Sequence, residues 1–431
     1  MKIITFEQFI PKEELNLNGL RGLKECYVSY LSKKISQPNR IIRFVITKSD
    51  EQGYYCEIDS ITPEENDTLS LDGDFFDFRK RAYENTNKFT TVLLIPTGIG
   101  AEIGGHCGDG NSIARLLAAA SDVLITHPNV VNAADINEMT DNTEYVEGSI
   151  LSKFLLGKIG LQKVRSNRVL MLMDKHQESF FNEEIVNAVS SARITLGMDC
   201  DVYEMENLIK STSQYSKSGR AIGEVEGLEK LFEIIEKFKN DYDAIGLSTF
   251  IRVPDDFHKK YFSTEDMVNP WGGVEAMLTH SISEIFKIPC AHSPMMTSSE
   301  IMELELGVVD PRKAPESAST TYLYSILKGL HRSPRIVGPT KGITLEDVSC
   351  VVIPDGCIGL PTLACLENSI PLIVVKENKN LMQNDLQKLP FKSNKLFLVN
   401  SYLEAVGVMT ALKAGISPDV TRRPVRGTTK L

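Results

Sequence analysis

The sequence predicts an α/β protein with a doubly wound, mainly parallel sheet, in two lobes, preceded by a small α+β unit. Three observations carry this. From Phe89 onward, short apolar runs alternate with longer amphipathic segments, and the joins between them are rich in glycine. The amphipathic segments have the length of crossovers between parallel strands. Finally, 42% apolar residues in a chain of 431 supply enough material for a sizeable core, with no low-complexity tract or internal repeat.

Residues 1–88 make up the α+β unit. Glu14–Lys34 reads as helix, and Ile41–Ile46 and Tyr54–Ile58 read as a strand pair joined by the turn-forming run Lys48–Gly53. A polar stretch, Thr62–Thr68, and an acidic, aromatic run around Asp72–Phe78 lead into the main body, residues 89–420. Its expected strands are Thr91–Ile95, Val123–Thr126, Arg168–Met173, Asp201–Glu204, Ala244–Thr249, Val348–Ile353, Leu372–Val375 and Leu396–Val399. Ile113–Ala120, Glu183–Leu196 and Val225–Lys239 are expected helices. The last of these sets Leu228, Leu231, Phe232, Ile235 and Phe238 at helical spacing. The lobes divide at about residues 89–165 and 166–420. In such sheets ligands bind at the carboxyl ends of strands, where the glycine turns fall.

With 57 acidic against 47 basic residues the net charge is −10, which argues against a nucleic-acid partner. Residues 421–431 are locally basic and read as a solvated tail. The N-terminus lacks a signal-peptide stretch, and no apolar run has the length of a membrane span. Eight scattered cysteines without C-x-x-C spacing read as reduced thiols. The expectation is therefore a cytoplasmic protein without membrane partner or structural zinc, compatible with a homo-oligomer.

The densest glycine run is PTGIGAEIGGHCGDG, Pro96–Gly110, with six glycines in fifteen residues after an expected strand. Its spacing departs from G-x-G-x-x-G, no acid on the next strand serves a ribose, and no Gly-Lys-Ser/Thr follows. Nicotinamide and ATP sites are thus disfavoured. A wide turn fits better, its free amides at Thr97, Gly98, Gly100, Gly104 and Gly105 holding a small anion. Asp109 then caps the next helix, or binds hydroxyl or ammonium groups.

The stretches IPTGIGAEIGGHCGDGNSIARLLAAASDVLITHPNVVNAADI, YVEGSILSKF, NPWGGVEAMLTHSIS, IPCAHSPM and VVDPRKAPESASTTYLYSILKGLHRSP resemble an uncharacterised bacterial group, domain-of-unknown-function family 3326. The resemblance covers about residues 89–385 and implies kinship without a reaction. The family carries tyrosine-alanine where this chain has His106-Cys107, so the resemblance implies no role for these two.

Several constellations offer chemistry. His127 and Asn129 end a strand beside the glycine turn, His127 as general acid or base or as partner of a backbone carbonyl. Asn269, Gly272 and Gly273 precede or open a helix with Glu275 in its first turn, and the lone Trp271 is a substrate wall or a core plug. Cys290 and His292 lie on the same side of an extended segment, where an imidazole can activate a thiol. Asp355-Gly-Cys-Ile-Gly359 resembles a nucleophile elbow presenting Cys357. No histidine follows it, which counts against the hydrolases of that class. Asp355, Gly356 and Gly359, before a helix opened by Pro361, form a second candidate anion site. Arg312 is a bidentate partner for a carboxylate, or pairs only with Asp310. His106, Cys107, His127, Cys290 and His292 could surround a divalent metal, but H-E-x-x-H spacing is absent, and no metal or organic cofactor is predicted.

The expected function is an enzyme acting on a small anionic metabolite, a carboxylate or phosphate, by cofactor-independent proton transfer or covalent thiol chemistry. That describes an isomerase, racemase or lyase in which Cys290 or Cys357 works with His127 or His292. A two-lobed nucleotide-sugar transferase or epimerase, and a non-catalytic metabolite-binding protein, are the other readings.

Overall fold

Two sheets organise the computed structural model, which describes every residue except 36–39, 64–73, 207–208, 265, 296–306, 318–321 and 431. Most of the Thr62–Thr68 stretch and the first part of the Asp72–Phe78 run lie outside the described residues. The chain is a mixed α/β protein.

The six-stranded sheet is parallel throughout, in the order Leu396–Val399, Leu372–Val375, Val348–Pro354, Thr90–Leu93, Val123–Thr126 and Thr143–Tyr145. Thr90–Leu93, Val123–Thr126 and Leu372–Val375 are buried at every position, as strands covered on both faces must be. The Asn111–Ala120 helix packs on Tyr402–Lys413, and Gly148–Leu155 packs on both Leu360–Asn368 and Gly272–Phe286.

The ten-stranded sheet is mixed. Asp199–Met205, Arg168–Asp174, Ala244–Arg252 and Cys290–Met295 run parallel. Lys210–Tyr215 then joins this block to an antiparallel run through Ala221–Glu226, Lys2–Pro11, Gly53–Thr62, Arg40–Ser49 and the short Ile358–Gly359. The N-terminal hairpin is thus continuous with strands of the main body: Lys2 and Ile3 pair with Glu226 and Val225. The first strand, Lys2–Pro11, was not expected, because its burial does not alternate cleanly.

Two expected helices shorten for local reasons. Glu14–Lys34 becomes helical only at Leu20, after Gly19 at φ 139°, and includes a π-helical turn at Tyr27–Leu31. Val225–Lys239 becomes a strand to Glu226, then a helix from Leu228, with Gly227 at φ 83° making the break. One apolar core runs from Ile10 and Leu23 through Val92 and Leu363 to Val399. The other gathers Ile3, Ile61, Val225, Leu231, Trp271 and Ile282, so Trp271 packs as a core residue.

Candidate functional site

A polar cavity of about 120 Å³ lies where the end of the Val123–Thr126 strand meets the starts of the Gly148–Leu155 and Gly272–Phe286 helices. Of the residues expected from the sequence, Thr97, Gly98, Gly105, His127 and Asn129 line it from one part of the chain. Asn269, Gly272, Glu275 and His292 line it from another.

His127 follows its strand in extended conformation, and Pro128 opens the next short helix. Its Nε2 accepts the Ile95 N–H at 3.1 Å, so the neutral ring carries its proton on Nδ1. Burial, with His280 nearby, lowers its pKa to about 4. Asn129 donates to the Gly104 carbonyl at 2.7 Å and to that of Ile95 at 3.3 Å, tying the glycine turn to the strand end.

The Gly272–Phe286 helix presents Gly272, Glu275, Ala276, Thr279 and His280 to the cavity. These are positions i, i+3, i+4, i+7 and i+8, one face of a helix. Glu275 Oε2 stands 3.3 Å from His292 Nδ1, and the other nitrogen of that ring is 3.0 Å from the Thr249 hydroxyl. His280 Nε2 stands 3.1 Å from Glu147 Oε1. Glu147 also caps the Gly148–Leu155 helix, accepting from Ser149 N–H at 2.9 Å and Ile150 N–H at 3.2 Å. Burial raises Glu147 to about 7 against these hydrogen bonds and lowers His280 to about 4. Both shifts favour the uncharged pair. His280 Nδ1 is buried without a hydrogen-bond partner. From the sequence neither Glu147 nor His280 is assigned a role in the site, although the helical spacing from Gly272 to His280 carries the signal for the latter.

Beneath the cavity, Glu316 accepts from the Tyr261 hydroxyl at 2.8 Å and from Asn269 Nδ2 at 3.2 Å, and burial raises it to about 7. Tyr261 in turn meets His106 Nδ1 at 2.7 Å. Asn269 Oδ1 accepts the Trp271 and Gly272 amides at 2.9 and 3.1 Å, which shapes the entry to the helix.

The glycine turn differs from expectation. Asp109 does not cap the following helix, whose N-cap is Gly110 without a side-chain bond. Instead Asp109 Oδ1 accepts the Gly104 amide at 2.8 Å, so the turn is occupied by a carboxyl group of its own chain. The amides of Glu102, Ile103 and Cys107 are likewise taken by Lys379 carbonyl, Asn378 Oδ1 and Glu316 Oε1. Gly100 packs against Val268 and Gly104 against Ile95, each at positive φ, and neither lines the cavity.

Other expected residues also lie elsewhere. Arg312 pairs with Asp310 at 2.8 Å, Glu102 at 3.0 Å and Asp266 at 3.7 Å, as its acidic neighbours dictate, and lines neither cavity of the site. Gly273 is a packing residue: a Cβ there would fall 2.1 Å from the Ala221 carbonyl oxygen. Asp355 accepts the Gly356 amide at 2.8 Å, and Gly356, at φ 77°, turns tightly against the Met382 carbonyl. Cys357 and Gly359 line a second, mainly apolar chamber adjoining the first. His292 reaches the polar cavity, whereas Cys290 on the same strand sits in an apolar core. Burial pushes both thiols, Cys290 and Cys357, far above the ordinary cysteine range, so they stay protonated at neutral pH. Among the described residues, no three His, Cys, Asp or Glu side chains are grouped so as to hold a metal ion. No helix among them is long and apolar enough to cross a membrane.

The fold and the cavity define an α/β protein with two histidine–carboxylate pairs at the junction of its sheets. Residues 90–422 match the family described as protein of unknown function (DUF3326), and the chain belongs to that family. It is 33% identical over 339 residues to an uncharacterized lipoprotein of Synechococcus sp., an alignment covering 76% of this chain and 92% of that protein. No solved structure matches the chain.

Proposed function

We propose that the chain is an enzyme of acid–base chemistry, an isomerase, racemase or lyase, acting on a small metabolite that carries a carboxylate or phosphate. The single observation supporting this is that His292–Glu275 and His280–Glu147 line one cavity together with His127. Moving a proton from one carbon to another, or from one face of a carbon to the other, needs a base and an acid at separate points around the substrate. Glu275, held by His292 through one carboxylate oxygen, is the base. The Glu147–His280 pair, with a carboxyl raised to about 7, holds the proton to be returned. The positive end of the Gly272–Phe286 helix dipole reaches the same cavity and favours an anionic substrate. The two sheets serve as the lobes of a doubly wound body, closing on the cavity between them. Covalent thiol chemistry is disfavoured, because burial holds Cys290 and Cys357 protonated. No organic cofactor is invoked.

A thermal-shift panel of dicarboxylates, amino acids and sugar phosphates comes first, since a ligand at a hundred times its Kd stabilises by about 2.7 kcal/mol. The stabilising ligand is then incubated with enzyme in D₂O, and deuterium entry at carbon is followed by NMR. Exchange should fall by about 10²- to 10⁴-fold in His292→Gln and Glu275→Gln. Binding without exchange or turnover by the wild type would leave a metabolite-binding protein.

A further inference from the structure

The apolar chamber has a volume of about 130 Å³ and shares Thr97, His127, Gly148, Ala276 and His280 with the polar cavity. Both imidazoles therefore stand at the boundary between the two spaces. Ile42, Phe44, Val45 and Phe75 supply part of the chamber wall, and all four lie outside the 90–422 stretch that matches the family. The remaining wall includes Leu94, Leu156, Ile353 and Leu360. Its cations are neutralised within the protein: Arg43 pairs with Asp59 at 3.4 Å, and Lys153 with Glu284 at 2.5 Å. The N-terminal hairpin is held against the chamber by main-chain pairing of Val45 with Gly359 and of Ile46 with Ile358.

We propose that this chamber binds the apolar part of an amphiphilic substrate whose polar, reacting head lies in the adjoining cavity, and that residues 42–45 and Phe75 set its specificity. The proposal rests on the polar cavity being the reaction site. A cavity of roughly 150 Å³ lined by aliphatic and aromatic side chains accommodates a benzene ring. The chamber accordingly takes an alkyl chain or ring of about six carbons. The buried, unpartnered Nδ1–H of His280, at the boundary, awaits a hydrogen-bond acceptor on the head of such a molecule.

The experiment is calorimetric binding to the full chain of two series, the straight-chain carboxylates and the primary alcohols from two to ten carbons, below their micelle concentrations. Burying each methylene should tighten binding about fourfold up to about six carbons, with a plateau beyond. Ser152→Leu and Val45→Phe, placed on the wall from a helix and from the N-terminal hairpin, should each flatten this slope while leaving the shortest members unaffected. If one variant does not fold, the other still decides. No binding in either series, affinity independent of chain length, or a slope unchanged in the folded variants would overturn the proposal. A slope seen with alcohols but not with carboxylates would keep the chamber and overturn the anionic substrate instead. Loss of deuterium exchange in His292→Gln with the slope intact separates the reaction from the chamber.

Discussion

Asp109 shows how a single side chain redefines a motif. Its carboxylate sits on the Gly104 amide, and burial raises its pKa to about 8. In an unfolded chain an aspartate titrates near pH 4. Between those values the folded protein binds the extra proton, so Asp109 costs stability progressively as pH rises from about 4 to about 8. Asparagine keeps an acceptor for the amide and does not titrate. Asp109→Asn should therefore gain on the wild type by at most about 4 kcal/mol between pH 5 and pH 8. The reading is a difference in Tm that widens with pH, and a constant difference would mean an ionised Asp109 throughout. The thiols make a second residue-level test. Cys290 and Cys357, buried and protonated, should resist iodoacetamide at neutral pH in the folded protein and react once it is denatured, as mass spectrometry of the alkylated peptides would report. Fast labelling of either would restore the covalent reading.

At the scale of elements, the Gly272–Phe286 helix carries most of the site. Its face from Gly272 to His280 can be read from helical spacing, and so can its glycine-rich start. What spacing does not reveal is how closely the helix lies on the Ala221–Glu226 strand. A methyl group at Gly273 would meet the Ala221 carbonyl oxygen at 2.1 Å, so Gly273→Ala must push helix and strand apart. Destabilisation of about 3 kcal/mol is expected, the upper end for overpacking, read as a lower urea midpoint. Because the same helix positions Glu275 opposite His292, ligand binding should weaken with it. A variant of unchanged stability would show that the two elements have slack.

For the whole molecule, the position of residues 1–88 decides the most. Their strands extend the sheet of the main body, and Ile10, Leu23 and Ile58 share a core with Leu363 and Val399. A chain beginning at residue 89 would leave the Ala221–Glu226 strand without Lys2 and Ile3 as partners and would open that core. It should aggregate or lack native near-ultraviolet dichroism, whereas a soluble, folded truncation would make the N-terminal unit separable. The full chain should give one calorimetric transition spanning both sheets.

The sequence by itself determined the parallel strands: Val123–Thr126, Leu372–Val375 and Leu396–Val399 begin and end where their apolar runs do. A strand such as Val123–Thr126 or Leu372–Val375, buried on both faces, carries its signal in consecutive residues, and short polar or proline-containing segments delimit it. It also singled out Thr97, His127, Glu275 and His292, because polar residues at strand ends and helix starts are conspicuous in an apolar pattern. Only the tertiary structure decided the antiparallel half of the large sheet, whose first strand does not alternate cleanly. It alone joined Glu147 to His280, turned Asp109 onto its own loop, and buried Cys290 away from the cavity reached by His292. The physical reason is range. Periodicity and turn chemistry act over a few residues, whereas desolvation and the pairing of charges depend on which distant segments the fold brings together.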